Sequence, residues 1–498
     1  MSGRTEVPAD EIEKQKMIMR RVRESFMMRS APPLAYIDTY GCQQNESDSE
    51  KLRGMLADMG YEATGDEYEA DVIVINTCAI RENAENRVYG NVGALVHTKK
   101  AKPGQVVALC GCMAAVPEAI EKIRQSYMHV GLVFSPDVLW RFPELLQRAL
   151  NAPGRVFETA AGNGAIAERI PVKREGTVKA WLPIMYGCDN FCSYCIVPYV
   201  RGRERSRRPE YVIDEARELV AEGYKDITLL GQNVNSYGAG LPYSDKSLGS
   251  KSPSVYLAPG PEENINGSTD FSTLIRRIND IDGEFLIRFM TSHPKDASEK
   301  LFRAMAESGK AARHIHLPFQ AGNDRVLKLM NRGYTQAGYL EKVEIARGYM
   351  PDIVITSDVI VGFPGETDEE FEDTMRLVEK ARFDAMFTFI YSKRPGTPAA
   401  ELDDSVSRKA KQIRFDRLIE LQNSISVEKH ARYIGKTVRV LVDGRSRDER
   451  YPLKARTNGG RLVHLTGGAE LVGSFTDAAI THCNSWSLFG IAEQGEHI

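Results

Sequence analysis

The chain has 498 residues, 42% hydrophobic and 27% charged, with 65 basic against 68 acidic side chains and a formal net charge of −3. That length provides for about two to four domains with real apolar cores, and the composition excludes a largely disordered chain. No stretch reaches the roughly 20 uninterrupted apolar residues of a membrane helix. The total charge gives nucleic-acid binding no support, so any basic surface has to be local.

Residues 1–33 are a charged leader in which Asp10, Glu11, Glu13 and Glu24 mix with Lys14, Lys16, Arg20, Arg21 and Arg23. It has no apolar segment of the kind a secretion signal needs, and its acids argue against a transit peptide. A solvated helix is expected there. The expected compartment is the cytoplasm, where thiols stay reduced and the eight cysteines are candidates for metal binding, catalysis or inert burial.

Between 34 and 150 the pattern alternates strand and helix four times. Strands are expected at Leu34–Tyr40, Asp71–Asn76, Val106–Leu109 and Val130–Phe134, with helices at Ser47–Met59, Glu82–Lys100, Pro117–Tyr127 and Val138–Leu150. Such βα repeats predict an open, mostly parallel α/β sheet with helices on both faces. Residues 151–178 read as a polar linker.

A second βα series fills 179–433, with strands expected near Leu182–Met185, Ile227–Leu230, Phe285–Met290, His314–Leu317, Val354–Ile360 and Ala385–Phe389. Six units point to a full or partial (β/α)6 barrel, although buried parallel strands look alike in a barrel and in a flat sheet. Residues 238–270 interrupt the series: 15 of the 31 residues from Gly238 to Ser268 are Gly, Pro or Ser, the composition of an inserted surface loop. A helix near Ser407–Tyr433 leads to 434–498, where Thr437–Val442, Tyr451–Arg456, Arg461–Leu465 and Ser474–His482 read as short strands of a small β-barrel.

The cysteines carry the functional argument. Gly187-Cys188-Asp189-Asn190-Phe191-Cys192-Ser193-Tyr194-Cys195 is a CxxxCxxC run directly after a strand. Three thiolates on one loop suit an iron–sulfur cluster with one iron left open to a small molecule. The alternative is a zinc site completed by a remote fourth ligand. Placement after the first barrel strand favours catalysis, because barrel active sites form at that end. Cys42, Cys78 and Cys112 each follow an expected strand of the N-terminal sheet, so parallel pairing gathers them on its carboxyl rim, where open α/β sheets bind ligands.

These features resemble the methylthiotransferases of the radical S-adenosylmethionine superfamily, from Tyr36 to Phe489. Several strings match the MiaB-type branch, which acts on tRNA: Thr39-Tyr40-Gly41-Cys42-Gln43-Gln44-Asn45, Cys195-Ile196-Val197-Pro198-Tyr199 with Arg201-Gly202-Arg203-Glu204-Arg205-Ser206-Arg207, and Gly231-Gln232-Asn233-Val234-Asn235-Ser236-Tyr237-Gly238. The last string discriminates best against the relatives that modify a ribosomal protein or threonylcarbamoyladenosine in tRNA.

The resemblance implies two 4Fe-4S clusters, S-adenosylmethionine as co-substrate, and a C-terminal TRAM-like RNA-binding barrel. The implied reaction adds a methylthio group to C2 of N6-dimethylallyladenosine at position 37 of tRNA. One S-adenosylmethionine methylates sulfur at the Cys42/Cys78/Cys112 cluster. A second is cleaved at the catalytic Cys188/Cys192/Cys195 cluster to a 5′-deoxyadenosyl radical. The target nucleotide, in the anticodon stem-loop, has to be flipped out to react. An electron donor such as flavodoxin or ferredoxin is implied, and no membrane. The family's third cysteine sits in a Gly-Cys-x-Ala string, matched by Gly111-Cys112-Met113-Ala114, which selects Cys112 over Cys110; Cys483 is left as an inert barrel residue. The leader, the insertion and Val133-Phe134-Ser135-Pro136 depart from the family pattern, and no ligand set is assigned there.

S-Adenosylmethionine needs partners for its carboxylate, ammonium and ribose and an apolar slot for adenine. Strand ends offer Gln232, Asn233, Ser292, His293 and Gln320, the turn Gly362–Gly365 permits close backbone approach, and Tyr194 could pack on adenine. Arg201, Arg203, Arg205, Arg207 and Arg208 form a dense basic run suited to phosphate contact. From 435 to 465, eight Lys/Arg, Lys436, Arg439, Lys454 and Arg456 among them, face three acids and supply a local phosphate footprint. Two rival readings are a methylthiotransferase acting on a ribosomal protein and a zinc-stabilised RNA-binding protein without enzymatic activity.

Overall fold

The structure, a computed structural model, describes residues 6–79, 82–151, 154–159, 164–239 and 269–493. Most of the expected insertion therefore lies outside the described residues. The chain divides into two compact units: Met1–Gly176 with Tyr186–Arg205 and Ser392–Glu401, and Thr177–Met185 with Ser206–Tyr391 and Leu402–Ile498.

In the first unit six strands form one sheet in the order β2-β1-β3-β4-β5-β6. They are β1 (Leu34–Thr39), β2 (Glu62–Ala63), β3 (Val72–Thr77), β4 (Val106–Gly111), β5 (Val130–Phe134) and β6 (Val156–Glu158), and every pairing is parallel. Side chains alternate between the faces with period two. Val72, Val74 and Ala108 pack with α1 (Ala9–Ser25), α2 (Gln43–Asp58) and α5 (Phe142–Asn151), while Ile73, Ile75, Val107 and Leu109 pack with α3 (Glu82–Ala101) and α4 (Pro117–Ser126).

Three local expectations are corrected. The leader is helical but solvated on one face only, because Gln15, Ile18, Met19 and Val22, spaced i, i+3, i+4 and i+7, turn the other face inward. α2 starts at Gln43 rather than Ser47, since its buried face is polar there (Gln44, Asn45, Ser47, Asp48, Ser49) and shows no apolar period. The expected linker contributes β6 to the sheet edge.

In the second unit β7 (Lys179–Pro183), β8 (Asp226–Leu230) and β9 (Leu286–Phe289) form a parallel sheet in the order β9-β8-β7, and β10 (His314–His316), β11 (Val354–Val361) and β12 (Ala385–Ile390) a second in the order β10-β11-β12. A parallel bridge between Ile287 and Ala311 links them. Among the described strands β7 and β12 do not pair, so the array is the partial barrel of the two alternatives left open by periodicity. Helices between the strands cover one side, several started by side-chain caps: Asp270 accepts from Thr273 N, Ser298 from Leu301 N, and Thr367 with Glu370 forms a capping box.

The C-terminal strands β13 (Thr437–Arg445), β14 (Leu453–Thr457), β15 (Leu462–Thr466), β16 (Phe475–Cys483) and β17 (Ser487–Ala492) close into a barrel. The fifth strand was not expected; an Asx turn, in which Asn484 Oδ1 accepts from Trp486 N and Ser487 N, separates it from β16 without Gly or Pro. Polar clamps hold this barrel on the βα array. Arg288 donates to the carbonyls of Asn458 (2.8 Å) and Thr457 (3.1 Å) while its Nε meets Asp226 at 2.9 Å, and Arg461 pairs with Asp384.

Candidate catalytic centre and nucleic-acid interface

β1, β3 and β4 are neighbours in the first sheet and run parallel, so the residues that follow them share one rim. Cys78 and Cys112 directly follow Thr77 and Gly111, which are paired in register. Gly41, at φ +129°, lets the Cys42 loop lie against Cys78: a Cβ there would stand 2.5 Å from Cys78 Cβ and 3.1 Å from its Sγ. Cys78 and Cys112 are buried and Cys42 is exposed, so the group has one open side. Cys110, two residues earlier, faces the apolar core on the opposite side of the sheet.

Polar groups frame this rim. Asn45, in the first turn of α2, accepts from Cys42 Sγ at 3.5 Å and donates to the carbonyls of Tyr40 (3.0 Å) and Thr77 (2.8 Å). Arg201 donates Nε–H to Cys112 Sγ at 3.3 Å and its two terminal nitrogens to Asp48 (2.7 Å) and Asn45 Oδ1 (2.8 Å). Burial opposes charge on Arg201, but Cys112, Asp48 and Cys42 outweigh it and raise its pKa. Burial pushes the Cys112 thiol up despite the guanidinium beside it.

The CxxxCxxC loop is closed at its base. Cys188 N donates to Gly202 O at 3.2 Å, and Gly187, at φ +78°, leaves no room for a side chain because a Cβ would meet Arg203 O at 2.1 Å. Asn190 Nδ2 donates to Cys188 Sγ at 3.5 Å, a turn joins Cys195 N to Cys192 O, and Ala399 N braces Ser193 O. Cys188 and Cys192 are buried, Cys195 and Tyr194 half-buried. Burial, with Cys192 adding to it, pushes the Cys188 thiol up to about 11. Both triads offer sulfur donors alone. Among the described residues no three His, Cys, Asp or Glu converge on a single point as the ligands of one metal ion do. A cubane cluster makes no such demand, since each thiolate binds a different iron.

The strand-end residues of the second unit stand at the carboxyl ends of β8, β9, β10 and β11. Asn233 is committed to the fold: its Nδ2 donates to Ser236 Oγ (2.9 Å) and Asp296 (2.7 Å), and its Oδ1 accepts from His293 N (3.1 Å). His293 Nδ1 in turn accepts from Lys295 N. These bonds make Asn233 a brace between two loops. Gln320 joins the sheet through Asp358 O and Ile360 N at φ +67°, while Gly362 and Gly365 take positive φ in the turn after β11. Gln232 is half-buried after β8. Among the described residues Ser292 Oγ is buried with no hydrogen-bond partner, as are both amide atoms of Asn235. Buried polar groups of this kind call for a partner that the described residues do not supply. Asn235 escaped sequence reasoning, which cannot see whether an amide is satisfied.

The arginine run is only partly a surface. Arg203 (62% side-chain exposure, paired with Asp189) and Arg208 are exposed. Arg201, Arg205 and Arg207 turn inward, to Asp48, to Asp137 (3.4 Å), and to Glu215 (2.8 Å) and Pro183 O (2.7 Å). RNA contact by those three is therefore corrected to internal ion pairing.

On the small barrel Lys436 and Lys454 are exposed, Arg439 is exposed and pairs with Glu284, and Arg456 is half-buried against Asp443 at 3.0 Å. Beside Lys454 runs an aromatic row that the charge count passed over. Cross-strand partners place His464, Phe489 and His482 together, with Phe489 stacked on His482 (4.4 Å, 5°) and on His464 (5.1 Å, 20°), and Tyr451 edge-on to Phe489. Trp486, in the adjoining turn, is 71% exposed.

Three regions of the chain match known families. Residues 34–135 match the family described as Uncharacterized protein family UPF0004, 182–378 the Radical SAM superfamily and 431–492 the TRAM domain. The tRNA-2-methylthio-N(6)-dimethylallyladenosine synthase of Acetivibrio thermocellus is 45% identical over 488 residues, covering 97% of each chain. That of Thermoanaerobacter sp. (strain X514) is 45% identical over 484 residues with the same coverage. Among solved structures, the radical S-adenosylmethionine methyltransferase TsrM from Kitasatospora setae aligns with a TM-score of 0.53 at 14% identity, over 74% of this chain and 75% of that one, a likeness of fold alone. With sulfur-only triads in the matched regions and full-length similarity of this order, the chain belongs to the family of tRNA-2-methylthio-N(6)-dimethylallyladenosine synthases within the radical SAM superfamily.

Proposed function

We propose that this chain adds a methylthio group to C2 of N6-dimethylallyladenosine in tRNA, with one 4Fe-4S cluster on Cys188, Cys192 and Cys195 and a second on Cys42, Cys78 and Cys112. Membership of the radical SAM superfamily entails S-adenosylmethionine and a 4Fe-4S cluster. The observation that carries the second cluster is the meeting, on one sheet rim, of thiols from three separate βα junctions.

An aromatic C–H carbon has no leaving group, so its activation needs a radical, which the open cluster and S-adenosylmethionine together supply. The chain's own residues do the rest. The closed base of the CxxxCxxC loop holds two buried thiols and one half-buried one, and Asn45 orders the rim beside Cys42. Ser292 and Asn235, whose side-chain polar atoms find no partner among the described residues, are proposed contacts for S-adenosylmethionine, as are Gln232, Gln320 and the Gly362–Gly365 turn; Tyr194, on the CxxxCxxC loop, is a separate proposed cofactor contact. Arg203, Arg208, Lys436, Arg439 and Lys454 are the proposed phosphate contacts, and the exposed rings of His482 and Trp486 are the proposed π-faces on which unpaired bases stack. A flavodoxin- or ferredoxin-class donor is the proposed electron source. Among the described residues no helix is long and apolar enough to cross a membrane.

Anaerobic reconstitution should load about eight irons per chain, two four-iron clusters. Replacing either cysteine triad by alanine should halve that count. Mass spectrometry of nucleosides after incubation with prenylated tRNA, reductant and S-adenosylmethionine should then show the methylthio product. Stoichiometric zinc without iron, or a methylthio group found only on ribosomal protein, would refute the reading.

A further inference from the structure

The segment that leaves the CxxxCxxC loop returns at once to the N-terminal sheet. Val197–Val200 makes one helical turn, and Ile196 and Val200 enter the apolar core beside Ile75, Leu109 and Cys112. That packing delivers Arg201 to the rim, where it is only 5% exposed. Its planar fork makes three directed contacts, to Cys112 Sγ, Asp48 and Asn45. Such a fork is selective only when its partners are themselves held, and they are. Asp48 Oδ1 accepts from Gln44 Nε2 at 3.2 Å, and Asn45 is fixed by the Tyr40 and Thr77 carbonyls. One buried cation thus touches a thiol of the N-terminal triad and the helix that follows Cys42, and is carried by the strand of chain that has just left Cys195.

A hydrogen bond and a permanent positive charge at a cluster sulfur favour the more negative, reduced cluster and raise its potential; a carboxylate close by does the opposite. We propose that Arg201 is a positioning residue of the N-terminal cluster, orienting Cys112 Sγ and holding the cluster's reduction potential up, with Asp48 as its opposing charge. The inference rests on the reading that Cys42, Cys78 and Cys112 hold a cluster.

The test compares the full reconstituted chain with Arg201→Gln, Arg201→Lys and Asp48→Asn, by iron content and by redox titration followed by electron paramagnetic resonance. The N-terminal signal is assigned as the one that survives in the Cys188→Ala/Cys192→Ala/Cys195→Ala variant. Arg201→Gln should shift its midpoint to more negative potential and Asp48→Asn to more positive, with Arg201→Lys between Arg201→Gln and the unmodified chain and the other cluster unmoved. Unchanged midpoints, or shifts of the same sign in Arg201→Gln and Asp48→Asn, overturn the inference. If Arg201→Gln does not fold, the sign in Asp48→Asn decides alone. Absence of iron from the N-terminal triad of the unmodified chain defeats the two-cluster reading and this inference with it, whereas a loaded cluster indifferent to both charges defeats the inference alone.

Discussion

Asn45 Nδ2 donates to the carbonyl oxygen of Thr77 at 2.8 Å, tying the first turn of α2 to the end of β3 one residue before Cys78. The same amide nitrogen holds the Tyr40 carbonyl, and Asn45 is fully buried. Asn45→Ala leaves two carbonyls without their donor, at about 1–3 kcal/mol for each buried group. A lower melting temperature and loss of iron from the N-terminal triad, with the other triad still loaded, are the expected results. Full retention of both clusters would show that the rim is held without this bridge.

Gly111 precedes Cys112 at φ +87° and ψ −165°, a region that glycine alone occupies comfortably, and a Cβ there would lie 2.2 Å from Thr77 O. Gly111→Ala should destabilise the first unit by about 3 kcal/mol or more. Thermal unfolding of the metal-free chain reads this without any contribution from the clusters.

Stability should fall in mild acid. Burial, reinforced by Arg332 and Lys295, pushes the His293 imidazole from 6.5 down to about 2, and its Nδ1 accepts a bond from Lys295 N. The unfolded chain takes up a proton near pH 6.5 while the folded chain does not, so His293 favours folding above that pH and opposes it progressively below. The slope is at most about 1.4 kcal/mol per pH unit for one proton. Denaturant midpoints measured from pH 7 to pH 5 should fall in the unmodified chain and fall less steeply in His293→Asn; parallel curves would contradict the assignment.

The barrel surface separates two kinds of RNA contact. His482→Ala or Trp486→Ala should weaken tRNA binding by about 1–3 kcal/mol per lost base stack and leave the salt dependence nearly unchanged. Lys436→Ala and Lys454→Ala should each reduce the slope of log affinity against log salt by about 0.7–0.9. Filter binding at several salt concentrations distinguishes them, and an unaltered affinity in all four variants would move the RNA site elsewhere.

The arginine run divides in the same manner. Arg207→Ala removes the partner of Glu215 and of the Pro183 carbonyl and should lower the melting temperature, whereas Arg203→Ala, at an exposed pair, should leave it within about 0.5 kcal/mol of the original stability and weaken tRNA binding instead. Equal melting temperatures for the two variants would contradict the inward assignment.

Legibility in the sequence followed the range of the interactions involved. The strands β3, β4, β5 and β11 were readable because buried parallel strands concentrate β-branched residues over a few adjacent positions, and the CxxxCxxC loop because all its thiols lie within eight residues. The start of α2 was not, since its buried face hydrogen-bonds instead of packing apolar groups. Nor was Arg201, whose partners Asp48 and Cys112 are 153 and 89 residues away. A dense basic run looks the same whether its charges meet solvent or distant carboxylates.

The sequence by itself determined the order of the three regions, the CxxxCxxC loop and the family to which its motifs point, because covalent spacing and local periodicity set them; the choice of Cys112 to join Cys42 and Cys78 came from the resemblance. Only the tertiary structure decided which polar side chains are braces, which are open to ligands and which arginines face inward. Those distinctions depend on long-range hydrogen-bond satisfaction and burial, which come into being only when the strands close on one another.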